Sequence, residues 1–232
     1  MNTPTNIIGS RLNRVDATGK TTGATRFITD IHVDNMVHAA PVYSPFPYGR
    51  LTGIDTSNVL DDPDFVAFFT AQDIPGQNQV GVILEDQPLI ADEIVRYIGD
   101  SVGVLVAKTD EAAQRLAALI NVTIDEYEPV LSIDQSRDAV EHYLHESNLA
   151  CQHQVKRGDP EAGFETADQI IEARFETPFQ EHYYLEPQGC IAQPDGKGGI
   201  SILGSIQCPF YVQKAVSKAL DIPFAKVKVE QA

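Results

Sequence analysis

Residues 101–108 read SVGVLVAK, an unbroken apolar run with the length and β-branched content of a buried strand. The pattern changes at once. Thr109 is placed to cap a helix, and Asp110 and Glu111 put negative charge in its first turn. Apolar residues Ala112, Leu116, Leu119 and Ile120 then recur at helical spacing. From residue 121 the sequence NVTIDEYEPV alternates like a strand until Pro129. This succession predicts a compact β-α-β unit and a chain that mixes the two kinds of structure.

Further signals flank that unit. FVAFFT at 65–70 predicts another strand, and Gly76, Gly81 and Gly99 read as turn punctuation. Over residues 131–156 the pattern loosens, with at most one short helix, which marks a linker. Order returns at Asp159-Pro160, an N-cap and first-position pair for a short helix, and QIIEARFET alternates apolar Ile171, Ala173 and Phe175 with polar neighbours. GCIAQPDGKGGISILGSI predicts a hairpin around a Gly-rich turn. Val212, Ala215, Val216, Ala219 and Leu220 then form a helical stripe, Pro223 stops it, and KVKVE begins a strand.

Charge and cysteine content narrow the function. The formal charge of -16, from 33 acidic and 17 basic residues, opposes binding to nucleic acid or to an anionic membrane surface. No secretory leader and no apolar run near the roughly 20 residues of a membrane span is evident, so a cytoplasmic location is expected. Cys151, Cys190 and Cys208 form no CxxC pair, which argues against a zinc or iron–sulfur site and predicts buried free thiols. Glu141-His142-Tyr143-Leu144-His145-Glu146 would place two histidines on one helical face, but without a third ligand a solvated helix is the better reading.

The junction Ser205-Ile206-Gln207-Cys208-Pro209 carries the most chemistry. Pro209 suits a first helical position, which makes Cys208 the N-cap and sets Gln207 at a strand's carboxyl end before a helix amino terminus. Such a junction presents unpaired backbone donors and a partial positive charge, and a glutamine amide adds a neutral donor. Two readings stay open from these residues alone: an amide that ties down the strand end, or a donor to an oxyanion or oxo group. His182, Tyr183 and Tyr184 could line the same region or form a buried aromatic cluster.

Four stretches in order carry a wider likeness: GATRFITDI, LIADEIVRYIGDSVGVLVA, KRGDPEAGFETADQIIEARFETPFQEHYYLEPQGCIAQPD, and SIQCPFYVQKAVSKALDIPFAKVKVEQA. Together they resemble the molybdenum-binding subunit of the xanthine dehydrogenase and aldehyde oxidase family, on the xanthine dehydrogenase side because the SIQ element is kept. The resemblance implies an α+β (mixed α/β) fold: an α/β hammerhead domain at 18–130, a linker at 131–156, and the start of a molybdopterin-binding domain at 157–232. It aligns Gln207 with the glutamine that hydrogen-bonds the apical oxo ligand of molybdenum. It implies hydroxylation of purines or aldehydes at a molybdopterin centre, with iron–sulfur and FAD groups on partner subunits or domains, in an oligomer. The family's glycine-rich loop and base glutamate have no counterpart before Ala232, so no catalytic residue and no direct metal ligand is assigned. The chain alone is expected to be inactive and to hold no cofactor. The other expectation is a non-enzymatic fragment or assembly module of a split or truncated subunit.

Overall fold

The apolar run at 101–108 becomes the central strand of the first sheet. The computed structural model describes residues 8–9, 11–139, 148–149 and 151–232. Its strands are β1 His38–Tyr43, β2 Gly49–Asp55, β3 Phe65–Phe69, β4 Ile94–Val95, β5 Ser101–Ala107, β6 Asn121–Glu126, β7 Cys190–Pro194, β8 Ile200–Gly204 and β9 Val227–Gln231. Its α-helices are α1 Ala17–Thr22, α2 Asp110–Ala117, α3 Ile133–Asp138, α4 Pro160–Thr166 and α5 Pro209–Ala219. The fold is mixed α/β.

Strand β5 lies between β1 and β3, antiparallel to both. Its apolar face and that of α2 build one core in which Val102, Leu105, Ala107, Ala113 and Leu116 have no exposed surface. The start of α2 follows the sequence expectation: the Thr109 hydroxyl accepts from the Ala112 N–H at 3.1 Å. Arg115, on the outer side of the same helix, pairs with Asp62 at 2.8 Å and holds that carboxyl below its ordinary range.

The three elements expected at 101–129 are present, but they do not make a β-α-β unit. After α2 the chain leaves the first sheet, and β6 joins a second one, ordered β4-β2-β6 and antiparallel throughout. The reason is that both edges of β5 are already taken, by β1 and β3, so β6 finds no free edge beside it. The parallel unit lies later in the chain. Strand β8 pairs antiparallel with β7 and parallel with β9, and α5 makes the crossover between β8 and β9.

The chain divides by contacts into Met1–Tyr127 with Leu185–Ala232, and Glu128–Tyr184. The second unit contains α3 and α4, each with the side-chain cap that its sequence provides, from Ser132 and Asp159. None of its described residues is buried. The alternation in QIIEARFET therefore does not produce a strand: residues 167–184 have no regular structure, and Ile171 and Phe175 are about nine-tenths exposed. Period-2 patterning makes a strand only where a neighbouring strand pairs with it, and the three sheets take no residue from this segment. The pair His142 and His145 lies outside the described residues, and no group of potential metal ligands occurs among the described ones.

The core reading has a direct test. Leu116→Ala removes a fully buried side chain from between α2 and β5 and is expected to cost about 3 kcal/mol. It should appear as a lower urea midpoint with an unchanged slope.

Candidate functional site: the carboxyl end of β8

Strand β8 runs out at Gly204, and the path of the next four residues is set by the strands on either side. The Gly204 carbonyl accepts from the Ala232 N–H at 2.9 Å, beyond the end of β9. On the other side the Ser205 N–H donates to the Gly189 carbonyl at 3.1 Å, and the Ser205 hydroxyl accepts from the Gly189 N–H at 3.1 Å. Position 204 is tight for a side chain: a Cβ there would lie 3.0 Å from Cys190 Cβ, from the Gly189 carbonyl oxygen and from Ile206 Cδ1, so its neighbours would have to give by a few tenths of an ångström. Strand end and turn are thus held from both neighbours.

Helix α5 then starts where the sequence places it, with Pro209 in its first turn and Cys208 at the N-cap position. The Cys208 carbonyl accepts from the N–H groups of Tyr211 at 3.1 Å and Val212 at 3.4 Å, while its thiol makes no capping bond. No acidic side chain occupies the first turn. The positive end of the helix therefore faces outward without a counter-charge of its own. Gln207 sits at this mouth and is exposed, as is Cys208. Its amide has both a donor and an acceptor end, and the donor end matches the neighbouring backbone donors in sign.

The body of α5 is fastened to the strand that follows it. Gln213 Nε2 donates to the Val227 carbonyl at 2.7 Å and to the Phe224 carbonyl at 3.3 Å. The helix ends in a left-handed residue, Asp221, with φ 51°; the Ile222 N–H reaches back to the Ser217 carbonyl at 3.1 Å. A second segment meets this helix from the first half of the chain. Glu85 pairs with both Lys214, at 3.3 Å, and Lys218, which lowers its carboxyl pKa through the hydrogen bond from Lys218 first and that from Lys214 second.

Other expected site features fare differently. The three cysteines are free, as expected, but all are exposed rather than buried. Cys190 opens β7, an edge strand of its sheet, and Cys208 stands at the helix cap, outside the body of α5. His182, Tyr183 and Tyr184 belong to the unit Glu128–Tyr184 and are exposed, so they form no buried cluster. The His182 and Tyr184 rings stack with centroids 5.4 Å apart, and Tyr183 adopts φ 52°. Gly76 stands in a bend, as expected, and has a second role as well. A Cβ there would lie 2.0 Å from the Lys218 carbonyl oxygen, so what it permits is close approach to α5. The sequence pattern carried no signal for that contact, because its partner lies more than 140 positions away.

A neutral amide donor beside an uncapped helix amino terminus fits one edge of an anionic or oxo-bearing group, and the comparisons with known proteins name such a group. A family model described as "Aldehyde oxidase and xanthine dehydrogenase, a/b hammerhead domain" matches residues 22–129, and one described as "Molybdopterin cofactor-binding domain" matches residues 142–232. The chain belongs to the xanthine dehydrogenase and aldehyde oxidase family. It is 30% identical over 217 residues to a probable xanthine dehydrogenase subunit of Bacillus subtilis, covering 93% of this chain and 29% of that protein. It is 28% identical over 230 residues to the nicotinate dehydrogenase large molybdopterin subunit of Eubacterium barkeri, covering 97% of this chain and 53% of that one. Its fold matches that of an aldehyde oxidoreductase from Desulfovibrio gigas with a TM-score of 0.87 at 22% identity, over 96% of this chain and 26% of the other. The chain therefore spans about half or less of the length of these family members.

The Glu85 pair predicts a pH dependence. A carboxyl whose pKa is lowered by folding adds stability above its unfolded-state pKa and loses it as pH falls through the folded-state value. The stability advantage over Glu85→Gln is thus expected to be full at neutral pH and to vanish in acid, below the ordinary glutamate range. Urea midpoints of both proteins across that range measure it, and added salt should shrink the difference because the pair is solvent-exposed.

Proposed function

We propose that this chain forms part of a xanthine dehydrogenase-like molybdenum hydroxylase, an oxidoreductase acting on purines or aldehydes in the complete assembly. The observation that carries the reading is the placing of Gln207: exposed, at the carboxyl end of β8, before the uncapped start of α5. Crevices at the carboxyl ends of parallel strands are where α/β folds receive ligands. In this reading Gln207 donates from its Nε2 to an oxo oxygen of the molybdenum group, and the amino terminus of α5 adds a favourable potential. Molybdopterin supplies the hydroxylating and electron-accepting chemistry when bound. This chain contributes position and one hydrogen bond, with no metal ligand and no catalytic base assigned to it.

The same reading divides the chain into a hammerhead domain at 18–130, a linker at 131–156 and the first part of a molybdopterin-binding domain at 157–232. It also assigns the assembly iron–sulfur and FAD partners. The Bacillus subtilis and Eubacterium barkeri relatives are each named as one subunit of a dehydrogenase, which supports a multi-subunit setting. Among the described residues no helix is long and apolar enough to cross a membrane. Three exposed, unpaired thiols support a reducing compartment, the cytoplasm.

A second reading, an assembly module without activity of its own, rests on the unit Glu128–Tyr184. Ile171, Phe175 and Phe179 are almost wholly exposed there, more apolar surface than a segment of this length leaves uncovered unless it is met by something else.

Two measurements separate the readings. In the complete assembly, Gln207→Ala is expected to lower turnover roughly a hundredfold, the usual effect of losing one preorganised donor. The molybdenum paramagnetic resonance signal should shift, with stability unchanged; unaltered turnover and signal would leave Gln207 a structural amide. The 232-residue chain alone is expected to be inactive and to retain far less than one molybdenum per chain. A single donor adds only about 1 kcal/mol net, whereas immobilising a large anionic group costs several, and the net charge opposes it. Metal analysis beside assays for purine and aldehyde oxidation reads this, and near-stoichiometric metal or any turnover would refute it.

A further inference from the structure

Gln207 stands at one end of α5, and the other end is gripped by a three-residue segment from the first half of the chain. The N–H groups of Gly76 and Gln77 donate to the carbonyls of Ala219 and Lys218, each at 2.9 Å, so two carbonyls of the last turn are met by foreign backbone, the Lys218 one beside a bond from the Asp221 N–H at 3.3 Å. The approach is close. A Cβ at position 76 would lie 2.0 Å from the Lys218 oxygen, 3.0 Å from the Asp221 nitrogen and 3.1 Å from the Ala219 oxygen, all backbone atoms that cannot swing aside.

The next residue fixes this grip to the body of the fold. Asn78 Oδ1 accepts from the N–H groups of Leu89 and Ile90, each at 3.0 Å, and its Nδ2 donates to the Ile90 carbonyl at 2.7 Å. Ile90 and Ala91 are buried, and the Ala91 N–H donates to Ser101, the first residue of β5, at 2.7 Å. A path of hydrogen bonds joined by short backbone steps therefore runs from the central strand of the first sheet through Asn78 and Gly76 to the carboxyl end of α5. The helix has 11 residues, about 16 Å of stiff rod. A change of tilt at the clamped end is carried to the Gln207 mouth, where a displacement of about 1 Å is enough to spoil a hydrogen bond to a fixed acceptor.

We propose that Gly76, Gln77 and Asn78 form a clamp that sets the axis of α5 and so places Gln207, with Gly76 and Asn78 as positioning residues. The placing of a donor toward an oxo group rests on the function proposed above; the clamp itself does not. Gly76 is required for contact distance and Asn78 for its three bonds to the strand-bearing body. The paired lysines and Glu85 lie along the same face of α5 and reinforce the grip.

Hydrogen exchange of the 232-residue chain tests the clamp without any cofactor. Gly76→Ala is expected to speed exchange at the bonded amides of Ser205, Tyr211 and Val212 by about tenfold, while the amides of β5 keep their protection. Unchanged exchange at those three amides overturns the proposal, whatever Gln207 binds. Should Gly76→Ala not fold, Asn78→Ala decides instead: it removes the three side-chain bonds that tie the clamp to Leu89 and Ile90, so it should speed the same amides by a smaller factor, and no change would again overturn the clamp. The positioning role has its own readout in the complete assembly. There Gly76→Ala should shift the molybdenum paramagnetic signal in the direction that Gln207→Ala does, at unchanged metal content. A Gly76→Ala signal identical to that of the parent, in an assembly where Gln207→Ala does shift it, removes the positioning role. If Gln207→Ala itself leaves the signal unmoved, the proposed function falls and the exchange result still decides the clamp.

Discussion

The parallel pairing of Ile200–Gly204 with Val227–Gln231 is the interaction on which the candidate site depends. Parallel neighbours cannot be joined by a tight turn, so the chain must cross over, and it does so through α5. That crossover puts a strand end, a proline and a helix amino terminus in succession and turns a glutamine outward between them. Two bonds that steady the junction come from this arrangement, Ala232 to Gly204 and Gln213 to the start of β9, while those between Gly189 and Ser205 continue the antiparallel pairing with β7. Without the pairing, Gln207 would be one more polar residue on a loop.

The junction is also open where helix ends are commonly closed. A Ser, Thr, Asp or Asn at the cap would supply an oxygen to the first free N–H groups. Here the cap is Cys208, whose thiol makes no such bond, and the first turn carries no acid. The helix forgoes a local stabilisation of about 1 kcal/mol and keeps donors available for an outside acceptor. In a chain with a net charge of -16, an uncapped positive helix end is a localised exception to the prevailing field.

The two contact units differ in how their apolar residues are used. In the first, Leu105, Leu116, Val59, Val95 and Val102 are fully enclosed, and α2 is held by a cap and an ion pair. In Glu128–Tyr184 the helices are correctly capped, yet their apolar neighbours face outward. Local rules alone are enough to start and stop α3 and α4. Burying Ile171, Phe175 and Phe179 needs a surface that this unit does not provide. The proposed place in a larger assembly would supply one.

Much of the fold was legible because it rests on near neighbours. Thr109, Asp159 and Pro209 announced three helix starts, the alternation around residues 190–204 announced the hairpin, and the likeness to a known family pointed to Gln207. Sequence order also supplied the succession of strand, helix and strand at 101–126, but not the sheet to which each strand belongs. Periodicity records which face of an element is apolar; it holds no information on which distant element will cover that face. The allocation of β5 and β6 to separate sheets, the exposure of Cys190 and Cys208, and the role of Gly76 against the Lys218 carbonyl were decided by packing between segments far apart in the chain. The sequence by itself determined where α2, α4 and α5 begin and which amide lies between β8 and α5, because caps and prolines act on near neighbours. Only the tertiary structure decided that the helix behind that amide is gripped from the first half of the chain, because a contact at backbone distance leaves no trace in local composition beyond a single glycine.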